Sequence, residues 1–208
     1  MQDQDRADVY AVLARLWLDP QAQLLAALPG APAWPGPDGS EASRAWTALQ
    51  HAAERCAATA AGEFDALFVA AGTPPLNPYE CYYVAGCLMD KPLALLRSDL
   101  QALGLARSDG ATELEDHLGA LCETMWLLID RGADGEQQAD FFRRHLASWA
   151  AACLHDTRNA AGADFYRALA DFTGAFFAAE AAQLGLEPMS AADDGPTAHQ
   201  RRTGALQP

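Results

Sequence analysis

Apolar residues recur with the period of an α-helix along most of this chain. From Asp5 to Leu18, Val9, Val12, Leu13, Leu16 and Trp17 make one broad apolar face, and Asp19-Pro20 ends the run because proline pushes its predecessor out of the helical region. The stretch PGAPAWPGPDG from Pro29 to Gly39 is a loop, since its prolines remove backbone donors and its glycines cost entropy on ordering. Ser40 then offers a cap with Glu41 behind it, and Trp46, Leu49, Ala53 and Cys56 share one face of the next helix.

Glu63 to Ala70 reads as a short helix with Phe64, Leu67 and Phe68 turned inward, after which the prolines of AGTPPLNP impose an extended connection. Two consecutive helices are expected over Tyr79 to Met89 and Pro92 to Leu103, with Pro92 near a start and Gly104 just past an end. Three longer ones follow over Asp116 to Asp130, Gln137 to His155 and Ala163 to Leu184, separated by RGADG and NAAGA. Beyond Leu186 the sequence has hardly any large apolar side chains with which to offset the entropy of ordering. Tandem repeats and sustained heptads are not evident, which removes solenoids and long coiled coils. The expected fold is all-α: a single globular helical bundle over residues 1–186, with a disordered tail over residues 187–208.

Composition narrows the partners more than it alters this picture. A chain of 208 residues with 50% apolar side chains is long enough to bury one core without disulfides or structural metals. Its net charge of −14 opposes a nucleic-acid backbone and an anionic membrane surface, and favours encounter with a cationic polypeptide. The same charge also serves plain solubility. The acidic N-terminus MQDQDRADVY lacks the basic start and apolar run of a secretory signal, and no segment approaches the roughly 18 consecutive apolar residues of a membrane span, so a cytoplasmic protein is expected. Cys56, Cys81, Cys87, Cys122 and Cys153 form no C-x-x-C pair and are expected as small buried hydrophobes.

Two constellations carry candidate chemistry. In Glu113-Leu114-Glu115-Asp116-His117-Leu118-Gly119, Asp116 suits the N-cap of the following helix, with Glu113 and Glu115 near the positive end of its dipole. Alternatively Asp116 and His117 face a groove and bond an incoming peptide, including its guanidinium groups; the two roles are compatible. The second constellation joins Leu67-Phe68 to Pro78-Tyr79-Glu80-Cys81-Tyr82-Tyr83 across the proline loop. Most of these aromatics belong in a core, but some suit the anchoring of a partner segment, Tyr79 and Phe68 first. Phosphate loops, nucleophile elbows and zinc-protease motifs are absent from the sequence, so no catalytic residue and no cofactor is expected. His145, Cys153 and His155 point in different directions on a continuous helix and make a poor metal site, and Asp193-Asp194 and Asp3-x-Asp5 read as solvated charge.

Four stretches resemble the TorD/DmsD/NarJ-type chaperones of molybdoenzymes. Glu63-Phe64-Asp65-Ala66-Leu67-Phe68-Val69, continuing to Asn77-Pro78-Tyr79-Glu80-Cys81-Tyr82-Tyr83, is similar to D-x-x-x-L-F-x-G followed by P-Y-E-S-x-Y. Glu115-Asp116-His117-Leu118-Gly119-Ala120 is similar to E-P-D-H-x-x-x-E-L, Phe141 to Leu146 with Trp149 to F-x-x-x-H-L-x-x-W, and Phe165-Tyr166-Arg167-Ala168-Leu169-Ala170 to F-Y-x-x-L-A. Cys81, Ala70 and Leu121 depart from the pattern, standing where it has serine, glycine and glutamate. The resemblance implies an all-helical, non-catalytic chaperone, monomeric or homodimeric. It would bind the twin-arginine signal peptide and apo-form of a molybdenum-cofactor oxidoreductase and retain it until the cofactor is inserted. It carries a peptide-binding role to Asp116 and His117, and with them to Leu67, Phe68, Pro78 and Tyr79. The alternatives are a small helical nucleotide-binding protein or hydrolase, for which the sequence has no phosphate cradle, and an oligomeric scaffold without a specific client.

Overall fold

The computed structural model describes residues 1–70 and 72–187, and their helical periodicity becomes ten α-helices. In chain order these are α1 (Asp3–Leu18), α2 (Ala22–Ala27), α3 (Glu41–Cys56), α4 (Ala60–Phe64), α5 (Glu80–Ala85), α6 (Lys91–Ala102), α7 (Leu118–Asp130), α8 (Gly135–Phe142), α9 (Ala150–Asn159) and α10 (Phe165–Gln183). Strands are absent among the described residues, as the all-α expectation requires, and extended pairing is confined to an isolated antiparallel bridge between Tyr79 and His117.

The longest apolar faces bury one another. α1 packs along α7, and α10 is flanked by α3 and α9. Gly119 lets α1 and α7 approach closely: a Cβ there would lie 2.6 Å from Leu18 Cγ and 2.9 Å from the Ala14 carbonyl oxygen. α10 supplies Phe165, Tyr166, Phe172, Phe176 and Phe177, all fully buried. Edge-on rings from α1 and the loop before α3 meet them, Tyr10 with Phe176 at 4.8 Å and Trp34 with Phe172 at 5.7 Å, a geometry that adds to the area term.

Two carboxylates tie distant elements into this core. Glu63 of α4 accepts the amides of Asp164, Phe165 and Tyr166 at 2.9, 3.0 and 2.7 Å, satisfying free donors at the start of α10 and opposing its dipole. Glu180 of α10 takes a fork from Arg6 at 2.7 and 3.0 Å, and Arg6 also reaches Gln138 of α8 at 2.7 Å. Both charges of that pair are buried, so losing Arg6 strands Glu180 at a cost of about 3–5 kcal/mol, whereas Arg6 keeps a second carboxylate in Asp3 at 2.6 Å.

Several elements differ from the expectation. The segment after Pro20 forms α2 and a short 3-10 turn, Leu28–Gly30. The helix expected over Glu63–Ala70 is α4 followed by a π turn, Asp65–Val69, closed by the Ala70 amide on the Asp65 carbonyl at 2.8 Å. α5 stops at Ala85 instead of Met89 because Gly86 takes φ +78, the left-handed cap that glycine adopts without strain. Cys87 therefore falls outside the helix and is exposed, and Cys56 is half-buried, whereas Cys81, Cys122 and Cys153 are buried as expected. The run from Gln137 to His155 is not one helix: α8 ends at Phe142, a π turn covers Arg143–Ala147, and α9 begins at Ala150. The His145 carbonyl in that turn accepts the Trp149 indole N–H at 2.7 Å.

The tail expected over residues 187–208 lies, apart from Glu187, outside the described residues. Among the described residues no helix is long and apolar enough to cross a membrane.

Candidate peptide-binding site

The starts of α5 and α7 are built against each other. Proline and the residues around it keep the chain extended before α5, and His117 is extended before α7 after a turn from Leu114, so the two segments meet as a short antiparallel bridge. The Leu118 amide donates to the Pro78 carbonyl at 2.8 Å, and the Glu80 amide to the Asp116 carbonyl at 2.9 Å.

Asp116 is not the N-cap of α7, as its position in the sequence suggests. Its Oδ2 accepts the Cys81 amide at 3.0 Å and so caps α5, while Oδ1 is buried with no hydrogen-bond partner among the described residues. His117 holds the cap of α7: its Nδ1 accepts the Gly119 amide at 3.0 Å. That bond needs an unprotonated ring, and burial supplies it by pulling the imidazole pKa down to about 3. Asp116 and His117 are 0% and 4% exposed, so both are interior groups that join two helix starts.

Tyr79 stands above them, half-buried. Its ring meets that of His117 edge-on at 4.9 Å, and its hydroxyl donates to the Glu113 carboxylate. Burial first, and then that bond, raise the phenol pKa, so Tyr79 is a neutral donor.

Leu67 and Phe68 sit on the first π turn. Leu67 is buried and its carbonyl accepts the Leu76 amide at 3.0 Å, which ties the π turn to the segment leading into buried Pro78. The half-buried Phe68 ring packs against Tyr166 at 4.9 Å and Trp17 at 5.9 Å, leaving Val69 beside it 59% exposed. A chain of backbone bonds thus connects all six residues singled out from the sequence. Four of them are interior, and Phe68 and Tyr79 reach the surface.

His145 is a feature that the sequence reading left without a role. It is 3% exposed, with Nδ1 3.3 Å from Glu80 Oε2 and Nε2 2.8 Å from Asp99 Oδ2; Arg144 also reaches Asp99, at 2.9 Å. Burial lowers the imidazole pKa, but the bonds to Glu80 and Asp99 outweigh it and the net shift is upward. The histidine was visible in the F-x-x-x-H-L-x-x-W stretch, but its carboxylate partners lie 65 and 46 residues away in sequence. His155, the other histidine of that run, is exposed and bonded to Asn159. No group of three or more metal-ligating side chains among the described residues is arranged to hold an ion.

A family model described as the nitrate reductase delta subunit matches residues 37–155, which include all six of these residues and His145. In a sequence comparison no curated protein matches the chain. With more than half of its length matched, the chain belongs to the nitrate reductase delta subunit family, the NarJ/TorD-type chaperones of molybdoenzyme maturation.

Proposed function

We propose that this protein is a cytoplasmic chaperone that binds the twin-arginine signal peptide and the apo-form of a molybdenum-cofactor oxidoreductase, assists cofactor insertion and delays export until insertion is complete. The observation that carries this reading is the junction of Leu67, Phe68, Pro78, Tyr79, Asp116 and His117. Residues from three separated stretches converge there, and the aromatic edges of Phe68 and Tyr79 border exposed Val69 and acidic Glu113. Aromatic rings anchor a partner segment at low entropic cost, and a nearby carboxylate attracts a cationic one. In this reading Phe68 and Tyr79 touch the peptide. Leu67, Pro78, Asp116 and His117 set their positions from beneath. The protein performs no catalysis of its own.

Calorimetric titration of the full chain with a synthetic twin-arginine signal peptide tests the proposal. Val69→Ser and Glu113→Gln are exposed or half-buried changes, and together they should weaken binding by about tenfold, the range of a lost interface contact. Unchanged affinity in the double variant would refute the placement of the site, and no binding to the wild-type chain would refute the function.

A further inference from the structure

A second groove lies between α5, α6 and the π turn that follows α8. Its charged half is a cavity of about 320 Å³ that Asp99, Asp134, Glu136 and Asp140 line together with Arg144 and His145. Four carboxylates against one guanidinium and one imidazole leave negative charge in excess even when His145 is protonated. Asp99 is engaged by His145 and Arg144, and Asp140 by Arg143 and Arg144. Asp134 spends one oxygen capping α8, at 2.8 Å from the Gln137 amide. Glu136 and the second oxygen of Asp134 remain to receive a further cation.

The other half mixes apolar and charged groups. A space of about 450 Å³ is lined by Tyr83, Val84, Pro92 and Leu95 together with Glu80, and it shares Arg144 and His145 with the charged half. Val84 and Leu95 are 55% and 59% exposed, and the connection between their helices adds exposed Leu88 and Met89. Val69 apart, these four are the exposed large hydrophobic residues among those described, so the apolar surface is concentrated between residues 84 and 95. Of these, Val84 and Leu95 line the space beside the charged cavity, where exposed apolar side chains suit a contact surface.

We propose that this groove docks an extended client segment in which arginine adjoins apolar side chains. The guanidinium enters the acidic cavity, and the neighbouring apolar side chains lie on the ledge of Val84 and Leu95. Charge selects this occupant: a guanidinium offers five donors in a planar fork and is weakly hydrated, so it suits the neighbouring, exposed carboxylates of Asp134 and Glu136 better than an ammonium does. The chain's net charge of −14 steers such a segment towards it. The proposal rests on the reading of this protein as a signal-peptide chaperone and adds to it a site for the cationic part of the client, apart from the Tyr79 junction.

Fluorescence anisotropy on the full chain tests it with two labelled peptides. One carries two arginines followed by an apolar run, and in the other both arginines are replaced by neutral, isosteric citrulline. The wild-type chain should prefer the arginine peptide by about tenfold at low salt, the scale of charge-assisted pairing that salt screens. Asp134→Asn with Glu136→Gln, in which asparagine still caps α8, should bring that preference to within about twofold and leave the citrulline affinity unchanged. Val84→Ser with Leu95→Ser should weaken both peptides alike. An arginine preference that survives the Asp134 and Glu136 changes overturns the proposal. If only Val69→Ser and Glu113→Gln weaken the arginine peptide, the groove falls while the chaperone reading stands; if neither peptide binds the wild type, that reading falls as well. Tighter binding by Arg201→Gln with Arg202→Gln, lost when Asp134 and Glu136 are also changed, would make this chain's own arginine pair the occupant and likewise overturn the proposal.

Discussion

Asp116→Ala separates a carboxylate that supports the site from one that touches the client. The side chain is fully buried and its Oδ2 accepts the Cys81 amide at 3.0 Å, so alanine leaves a buried N–H at the start of α5 without an acceptor. An unsatisfied buried donor costs about 1–3 kcal/mol and a lost helix cap about 1 kcal/mol, but these describe the same broken bond and are not added. Against that loss, Oδ1 is buried without a partner, and removing it returns part of its desolvation cost. The net expectation is a loss of about 1–2 kcal/mol, which in a chain of this size lowers the melting temperature by about 2–8 °C. Asp116→Asn keeps an oxygen for the Cys81 amide and should cost less than half as much. Urea denaturation followed by tryptophan fluorescence gives the stabilities, and calorimetric titration with a signal peptide gives the affinities. Alanine should lose stability and affinity together, with asparagine close to wild type in both. Full stability with lost affinity in the alanine variant would refute the reasoning and put the carboxylate in direct contact with the peptide.

His117→Asn keeps a good cap but cannot titrate. Because burial depresses the wild-type pKa from 6.5 to about 3, the stability contributed by His117 is complete above pH 6.5 and lost as pH falls towards 3; circular dichroism during acid titration should find the variant unfolding at lower pH than wild type. His145 has the opposite sign: its raised pKa stabilises the fold fully below the ordinary value of 6.5 and less as pH climbs through the folded value. The deficit of His145→Gln in urea melts should therefore be greatest at acid pH and shrink towards alkaline pH. Gly119→Ala drives a Cβ to 2.9 Å from the Ala14 carbonyl oxygen, backbone that cannot step aside, and should destabilise by about 1–3 kcal/mol in the same melts.

The helices that were legible in the sequence are those whose stability comes from a long apolar face with a break at each end. α1 and α10 lie within two residues of their expected limits, since Asp19-Pro20 closes one and NAAGA precedes the other. The π turn at Arg143–Ala147 left no such trace. Phe141, Phe142, Leu146, Trp149 and Cys153 fit the face of an unbroken helix, and the bond that stabilises the turn, Trp149 to the His145 carbonyl, is not expressed in periodicity. The expected α5 overran for a related reason. Gly86 was a sufficient stop, but apolar Leu88 and Met89 beyond it prolonged the helical pattern, and these are the residues that the structure leaves exposed.

At the candidate site, the bond that the sequence suggested for Asp116 is not the one it makes. An Asp-His pair just before an apolar helical run satisfies the local rule for a cap, and local rules pair an N-cap with the amides that follow it. His117 obeys the rule through its ring nitrogen. Asp116, one residue too early to compete, turns instead to Cys81, 35 positions back. Two adjacent residues therefore cap two helices that are remote in sequence, and the Tyr79–His117 bridge locks the arrangement. The mechanical consequence bears on the proposed function. A peptide that pushes on Tyr79 loads the starts of α5 and α7 at once, and α5 also carries Glu80, which bonds His145 at the second groove. The two proposed surfaces are thus joined by one short helix, a connection that local sequence pattern cannot express because each of its bonds closes a loop of 35 residues or more.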